Sequence, residues 1–434
     1  MRSNDEMINS LAELVKIKSI TRTDITKEAP LGTESARALN KALDICRKLG
    51  FKTKNCNNLI GWAEIGNGNE MVGILGHLDV VPVGDDWTLE PFELTENNGR
   101  LYGRGTADDK GPMVACIYAM KDILDENIEL NRRIRIIFGL SEEAGEWSDI
   151  DYYIHNEELP CFGITPDADY PVLCGEKGIM NLELSMSKEE SKIEYACAGN
   201  AVNVVPSDCK IKYMSDDGTI KHIHTSGIPA HGSTPELGKN AITACMEILH
   251  KDSSNKFAEY YMKYIGWNVN GELSGCGFED EKSGKLSMNA GMLHTDDKNV
   301  TLSLDIRCPI DVDSNEVVKA IENQASKYNI NVKRTLWKPP IYLDKKGPVI
   351  KTLLNTYKEI TGDNKAEAKT IGGGTYARAM KNIIAFGASF PGHESTEHMK
   401  DEYILKDDFI LNRKIYKKAL ERLANIEKYK EEEK

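Results

Sequence analysis

The chain has 434 residues, 40% hydrophobic and 28% charged, a globular composition too long for one core, so two domains are expected. A net charge of −13 provides no basic face for nucleic acid. No run is apolar enough for a signal peptide or membrane helix, and ten cysteines, never closer than ten residues apart, form no CxxC; a cytoplasmic protein with reduced thiols is expected.

In chain order, Met7, Ile8, Leu11, Leu14 and Val15 recur at helical spacing, as do Leu39, Leu43, Cys46 and Leu49 before a stop at Gly50. The apolar run from Met71 to Leu75 predicts a strand that delivers His77 to its end. Asp79 follows two residues later, a carboxylate that can orient a metal-binding imidazole. The loop Gly103–Pro112 carries Asp108-Asp109, and Pro112 suits the first turn of a helix bearing Met113, Ile117, Met120 and Leu124. Arg133–Leu140 reads as a buried strand followed by Glu142-Glu143, and Phe162–Thr165 as another leading into Asp167. Strands alternating with helices predict an α/β fold with a mainly parallel sheet flanked by helices. In such sheets ligands sit beyond the carboxyl ends of the strands, where His77, Glu142, Glu143 and Asp167 all fall.

From about Gly175 the pattern changes. Met180, Leu182, Leu184 and Met186 alternate with polar residues, as do Val300, Leu302, Leu304 and Ile306. Two amphipathic helices intervene, one with Ile242, Cys245 and Leu249, the other with Val318, Ile321, Ala325 and Tyr328. These predict an α+β module over 175–339, inserted into a first domain made of 1–174 and 340–434, with Lys338-Pro339-Pro340 as the exit. Beyond it come a helix near Val349–Ile360, the turn Gly372-Gly373-Gly374-Thr375, a strand at Ile383–Phe386, and His398. A last helix carries Phe409, Tyr416, Leu420, Leu423 and Ile426, and a charged tail from Glu427 to Lys434 is expected to fray.

A lone Glu-Glu pair is most often a solvated loop. Glu142-Glu143 instead stands just past a hydrophobic strand, so that one carboxylate can bind metal while the other takes a proton from water. Asp108-Asp109 taken alone is equally well a turn pair bonding its own backbone; with His77 and the glutamates nearby, a carboxylate bridging two cations is the stronger reading. The segment His393–His398 is not the zincin HExxH, because its histidines are five apart and position i+4 is Glu397. Spacing leaves open whether His393 or His398 is a ligand. His231, in the small-residue loop Pro229–Ser233, can face a ligand, and Arg307 can form a salt bridge or bind a carboxylate. The run Gly372–Thr375 lacks the Lys-Ser/Thr of a phosphate loop; its amides can hold a carboxylate equally well.

In combination the motifs resemble the metallopeptidase family of aminoacylases, carboxypeptidase G and dipeptidases, family twenty of the metallopeptidases. They are GHLDVVP (76–82), GRGTADDKGP (103–112), SEEAG (141–145), TPDADYP (165–171), NAVNVVP (200–206), PAHGSTPE (229–236), DIRCP (305–309), GGGTYAR (372–378) and the run His398–Tyr403. The resemblance covers nearly the whole chain and is greatest to its dipeptidase V branch, to which Tyr376 points, standing where the wider family commonly has Asp. It implies two divalent ions, zinc foremost with manganese or cobalt as alternatives. His77, Asp108 and Asp167 would hold one, and Asp108, Glu143 and His398 the other, with the Asp108–Asp109 peptide cis. It thus favours His398 over His393. Asp79 would orient His77, and Glu142 would be the general base. The inserted module would be a lid supplying His231 to the scissile carbonyl. Asn203 and Arg307 would bind substrate, Arg307 at its C-terminal carboxylate, with Gly373, Gly374 and Thr375 nearby. The expected activity is hydrolysis of short peptides, by a monomer or homodimer with no membrane or nucleic-acid partner. The alternatives are a deacylase of N-acyl amino acids or succinyl-diaminopimelate and, more distantly, a non-catalytic peptide-binding protein.

Overall fold

The computed structural model describes residues 3–84 and 86–427. The tail expected to fray lies, from residue 428 on, outside the described residues. The chain forms two compact units. One comprises Met1–Cys174, Leu343–Lys369 and Thr375–Lys434, the other Gly175–Tyr342 and Thr370–Gly374. The segment Thr370–Gly374 therefore packs with the second unit although it lies beyond the expected exit at 340.

In the first unit the helices Asn4–Val15 and Thr33–Lys48 lead into a sheet. Along it stand Lys52–Cys56, Ile60–Ile65, Arg133–Gly139, Met71–His77, Phe162–Thr165, Ile383–Ala385 and Leu173–Glu176. The four central strands, Arg133–Gly139 through Ile383–Ala385, pair parallel. The flanking pairs are antiparallel, so the α/β class holds with a mixed sheet. Every residue of Met71–His77 is buried, as a strand covered on both faces requires. The helix Lys110–Asp125 is buried from Lys110 to Ile123, and its Asp122 carboxylate accepts from Arg413 Nε at 2.7 Å and Nη2 at 2.6 Å, tying it to the last helix, Lys406–Ala424.

In the second unit a seven-stranded sheet runs Ile220–Ser226, Asp208–Met214, Ile193–Ala198, Ser287–Thr295, Asn299–Cys308, Gly178–Ser187, Asn331–Lys338. All its neighbours pair antiparallel. Burial alternates along Gly178–Ser187, so one face carries Met180, Leu182, Leu184 and Met186 into the core. Besides the two expected helices, now Ala241–Asp252 and Ser314–Ala325, a third spans Lys256–Tyr264. Its buried face is Phe257, Ala258, Tyr260 and Tyr261, aromatic rather than aliphatic and only two turns long, which left little periodic signal.

Candidate active site

Five chain segments meet at the carboxyl edge of the parallel strands. His77 is the last residue of its strand and lies in register with Gly139. Glu142 and Glu143 follow Arg133–Gly139, and Asp167 follows Phe162–Thr165. Asp108 precedes the helix Lys110–Asp125, its peptide to Asp109 is cis, and His398 takes φ +63° in the turn before Tyr403–Leu405.

His77 Nδ1 lies 3.0 Å from the Asp79 carbonyl and 3.4 Å from Asp79 Oδ1, so Nε2 faces outward. There it meets Asp108 Oδ1 at 2.9 Å, with Asp167 Oδ2 at 4.0 Å. The second oxygen of Asp108 is 2.9 Å from His398 Nε2, which also lies 3.0 Å from Glu143 Oε2. Asp108 thus presents one oxygen to each imidazole. The candidate donor atoms of His77, Asp108 and Glu143 lie within 4.8 Å of one another, and so do those of His77, Glu142 and Asp167. Glu142 therefore also stands where a ligand could be, beside Asp167.

The electrostatics are those of an excess of carboxylates. Burial opposes charging His77, but Asp108 and Asp79 outweigh it and hold its pKa well above the ordinary value. Hydrogen bonds to Asp108 and Glu143 raise His398 to about 10. Burial pushes Glu142 up to about 7, reinforced by Glu143 and Asp108, and raises Glu143 and, strongly, Asp167. Asp108 is lowered because the two imidazoles overcome its burial. Asp109 is also buried; its Oδ2 accepts the His77 N–H at 3.2 Å, and its Oδ1 has no hydrogen-bond partner among the described residues. Gly76 makes this approach possible, since a Cβ there would lie 2.3 Å from Asp109 Oδ2. Two imidazole nitrogens among converging carboxylates are a donor set suited to divalent zinc-like ions, whose charge would relieve the mutual repulsion of the acids.

Residues 73–422 match the model of Peptidase family M20/M25/M40. The Bacillus subtilis (strain 168) protein named "Putative dipeptidase YtjP" is 32% identical over 461 residues, covering 98% of each chain. The chain belongs to peptidase family M20/M25/M40. A Staphylococcus aureus (strain bovine RF122 / ET3-1) relative, "Putative dipeptidase SAB1611c", is likewise 32% identical, over 96% of each chain. A family metallo-carboxypeptidase from Sulfolobus solfataricus shares the fold of this peptidase, with TM-score 0.60 and 20% identity, over 97% of this chain and 100% of that one. Human carnosine dipeptidase 1 matches with TM-score 0.60 and 17% identity, over 98% and 97%.

In this peptidase the other expected residues, Thr375 excepted, lie in the second unit. The Gly232 N–H donates to the Asn203 carbonyl at 2.7 Å, joining the loops of Asn203 and His231. Arg307 donates through Nε (3.0 Å) and Nη2 (2.8 Å) to the buried Asp305 and through Nη1 to the Gly372 carbonyl at 2.9 Å. Its side-on fork is therefore filled by Asp305, and a ligand carboxylate has only the outer Nη edge to meet. Gly373 and Gly374 belong with this unit, whereas Thr375 belongs with the first, where its hydroxyl accepts the Ala377 N–H at 3.2 Å. Tyr376 is fully buried edge-on to His77, with ring centroids 6.0 Å apart. A Cβ on Gly139 would fall 2.1 Å from its hydroxyl, so glycine is required there.

Three supporting residues escaped sequence reasoning. Thr21 donates to Asp79 Oδ2 at 2.5 Å, and Asp149 anchors the turn before Glu142. Glu402 is fully buried, pairs with Arg104 at 2.7 Å, and accepts the N–H groups of Gly105 (3.0 Å), Ala107 (2.9 Å) and Asp108 (3.2 Å). Its only sequence signal was membership of the run after His398. Glu402→Ala would strand a buried guanidinium and three amides, so a loss of roughly 3–5 kcal/mol is expected on denaturant unfolding. A loss under about 1 kcal/mol, the range of an exposed pair, would show that the pairing contributes little.

Proposed function

We propose that this peptidase is a dinuclear metal-dependent dipeptidase, with His77, Asp108 and Asp167 as ligands of one ion and Asp108, Glu143 and His398 of the other. The observation that carries the proposal is the disposition of Asp108, one oxygen toward each imidazole, with Glu142 close to His77 and Asp167. Zinc is the metal best matched to this mixed nitrogen and oxygen set. Bound divalent ions polarise a carbonyl and lower the pKa of water. Glu142 accepts the proton of the attacking water and passes it to the departing amine. Asp79 holds the site from behind, bonding at once toward His77 and to the backbone N–H groups of Glu142 (3.3 Å) and Glu143 (3.1 Å).

The second unit carries groups assigned to the substrate. His231 is suited to donate to the carbonyl oxygen. The Ser233 N–H points at its Nδ1 at 3.2 Å, so the neutral ring carries its proton on Nε2. Burial and the nearby Arg307 lower its pKa, keeping the ring neutral at pH 7. Asn203 and Arg307, with Gly373, Gly374 and Thr375, are assigned to substrate, Arg307 to its terminal carboxylate. No helix among the described residues is long and apolar enough to cross a membrane, and the ten free cysteines suit the reducing cytoplasm.

The test is a hydrolysis panel of dipeptides, tripeptides and N-acetyl amino acids with the metal-loaded protein. Dipeptides are expected to exceed the N-acetyl compounds in kcat/KM by roughly 100-fold or more, the discrimination a polar group that must be matched can supply. Preference for the acylated amino acids would replace the dipeptidase reading with a deacylase.

A further inference from the structure

The turn carrying Glu142 is held by an unusual arrangement of acceptors. Four successive backbone N–H groups all donate into two buried carboxylates. Leu140 and Ser141 donate to Asp149 Oδ2 at 2.6 and 3.1 Å, and Glu142 and Glu143 to the two oxygens of Asp79 at 3.3 and 3.1 Å. Thr21 closes the set from below, its hydroxyl placed between Asp79 Oδ2 and the Leu140 carbonyl at 3.1 Å. Asp149 is fully buried, and among the described residues it forms no ion pair with Lys, Arg or His. Its remaining oxygen accepts the Ile150 N–H at 2.9 Å, in the first turn of the helix Ser148–Asn156. An ionised carboxylate kept in such a place without a counter-charge is expensive, and backbone amides alone hold it. Among the described residues its hydrogen bonds run to the backbone of Leu140, Ser141 and Ile150 and to no candidate metal ligand.

We propose that Asp149 is a positioning residue for Glu142, fixing the junction between the strand Arg133–Gly139 and the Glu142-Glu143 turn so that the base carboxylate is aimed. This rests on the reading of Glu142 as general base. Asp79 cannot do this alone, because it grips only the far half of the turn and is also committed to His77. Without Asp149 the near half, Leu140-Ser141, would lose both its acceptors, and the glutamate side chain would drift relative to the substrate carbonyl. Misplacement of about 1 Å at a reacting group costs up to roughly 100-fold.

The experiment compares Asp149→Ala and Asp149→Asn in the metal-loaded enzyme, reading kcat, KM, metal content and amide exchange at residues 140–143. For Asp149→Ala, kcat is expected to fall roughly 10- to 100-fold, with KM within about twofold and metal content unchanged. Exchange at Leu140 and Ser141 should accelerate. Asp149→Asn, which keeps one acceptor oxygen, should recover most of the loss. If Asp149→Ala does not fold, Asp149→Asn carries the test with a kcat reduction of about threefold or more at unchanged KM. Wild-type kcat in a folded variant, a loss confined to KM or to metal content, or equal defects in Ala and Asn would each overturn the proposal. A Glu142→Gln background separates the two readings. There Asp149→Ala should lower kcat no further, whereas a full additional loss would mean that Asp149 acts elsewhere. If Glu142→Gln itself is as active as wild type, the base assignment has failed instead.

Discussion

Replacing Glu142 by Gln is expected to lower kcat by roughly 10²–10⁴-fold while the protein keeps its full complement of metal. Among Asp79, Asp108, Glu142, Glu143 and Asp167, Glu142 alone lies beyond salt-bridge distance of an imidazole. Gln preserves its size and removes only the capacity to take a proton. The metal arm matters because Glu142 also lies within reach of His77 and Asp167 donor atoms. A variant that loses an ion together with activity would make Glu142 a ligand rather than a base. The pH profile supplies an independent sign. A base works ionised, so kcat/KM must fall as pH drops through its pKa. Burial pushes Glu142 up to about 7 without a cation, and bound cations favour its charged form. The acidic limb of the wild-type enzyme should therefore lie below pH 7 and should vanish in Glu142→Gln.

Asp108→Ala is expected to have the second large effect, and on a different observable. Both of its oxygens are committed, one to each side of the cluster, so truncation removes a donor from both sites at once. Outer partners of metal ligands are worth about 10–100-fold in affinity. Loss of a bridging ligand should exceed that and leave dialysed protein with little bound metal and no measurable turnover. Removing Asp167 should by contrast weaken one site only. Retention of two ions per chain in Asp108→Ala, by elemental analysis after dialysis, would remove the bridge from the mechanism.

The parts of this site that could be read from sequence were those announced by their place at a strand end. His77 after Met71–Leu75, the glutamates after a buried strand and Asp167 after Phe162–Thr165 converge because parallel strands deliver their carboxyl ends to one edge. Distinguishing His398 from His393 was beyond spacing. In the structure His393 bonds Asp408 at 2.7 Å, while His398 turns into the cluster through a positive φ. The supporting layer was not legible at all. Thr21 acts on a carboxylate 58 residues distant, and Asp149 and Glu402 on backbone amides 9 and 297 residues distant, and nothing in local pattern marks such a partner. The same limit applied to topology. Alternating strands and helices signalled the parallel centre, but the antiparallel flanks and the grouping of Thr370–Gly374 with the second unit depend on long-range pairing.

The most direct measurement is anomalous diffraction at the zinc edge from crystals of the zinc-loaded enzyme. Two peaks are expected, one beside each oxygen of Asp108, the first also touching His77 and Asp167 and the second Glu143 and His398. A single peak, or zinc bound away from these five side chains, would contradict the dinuclear mechanism.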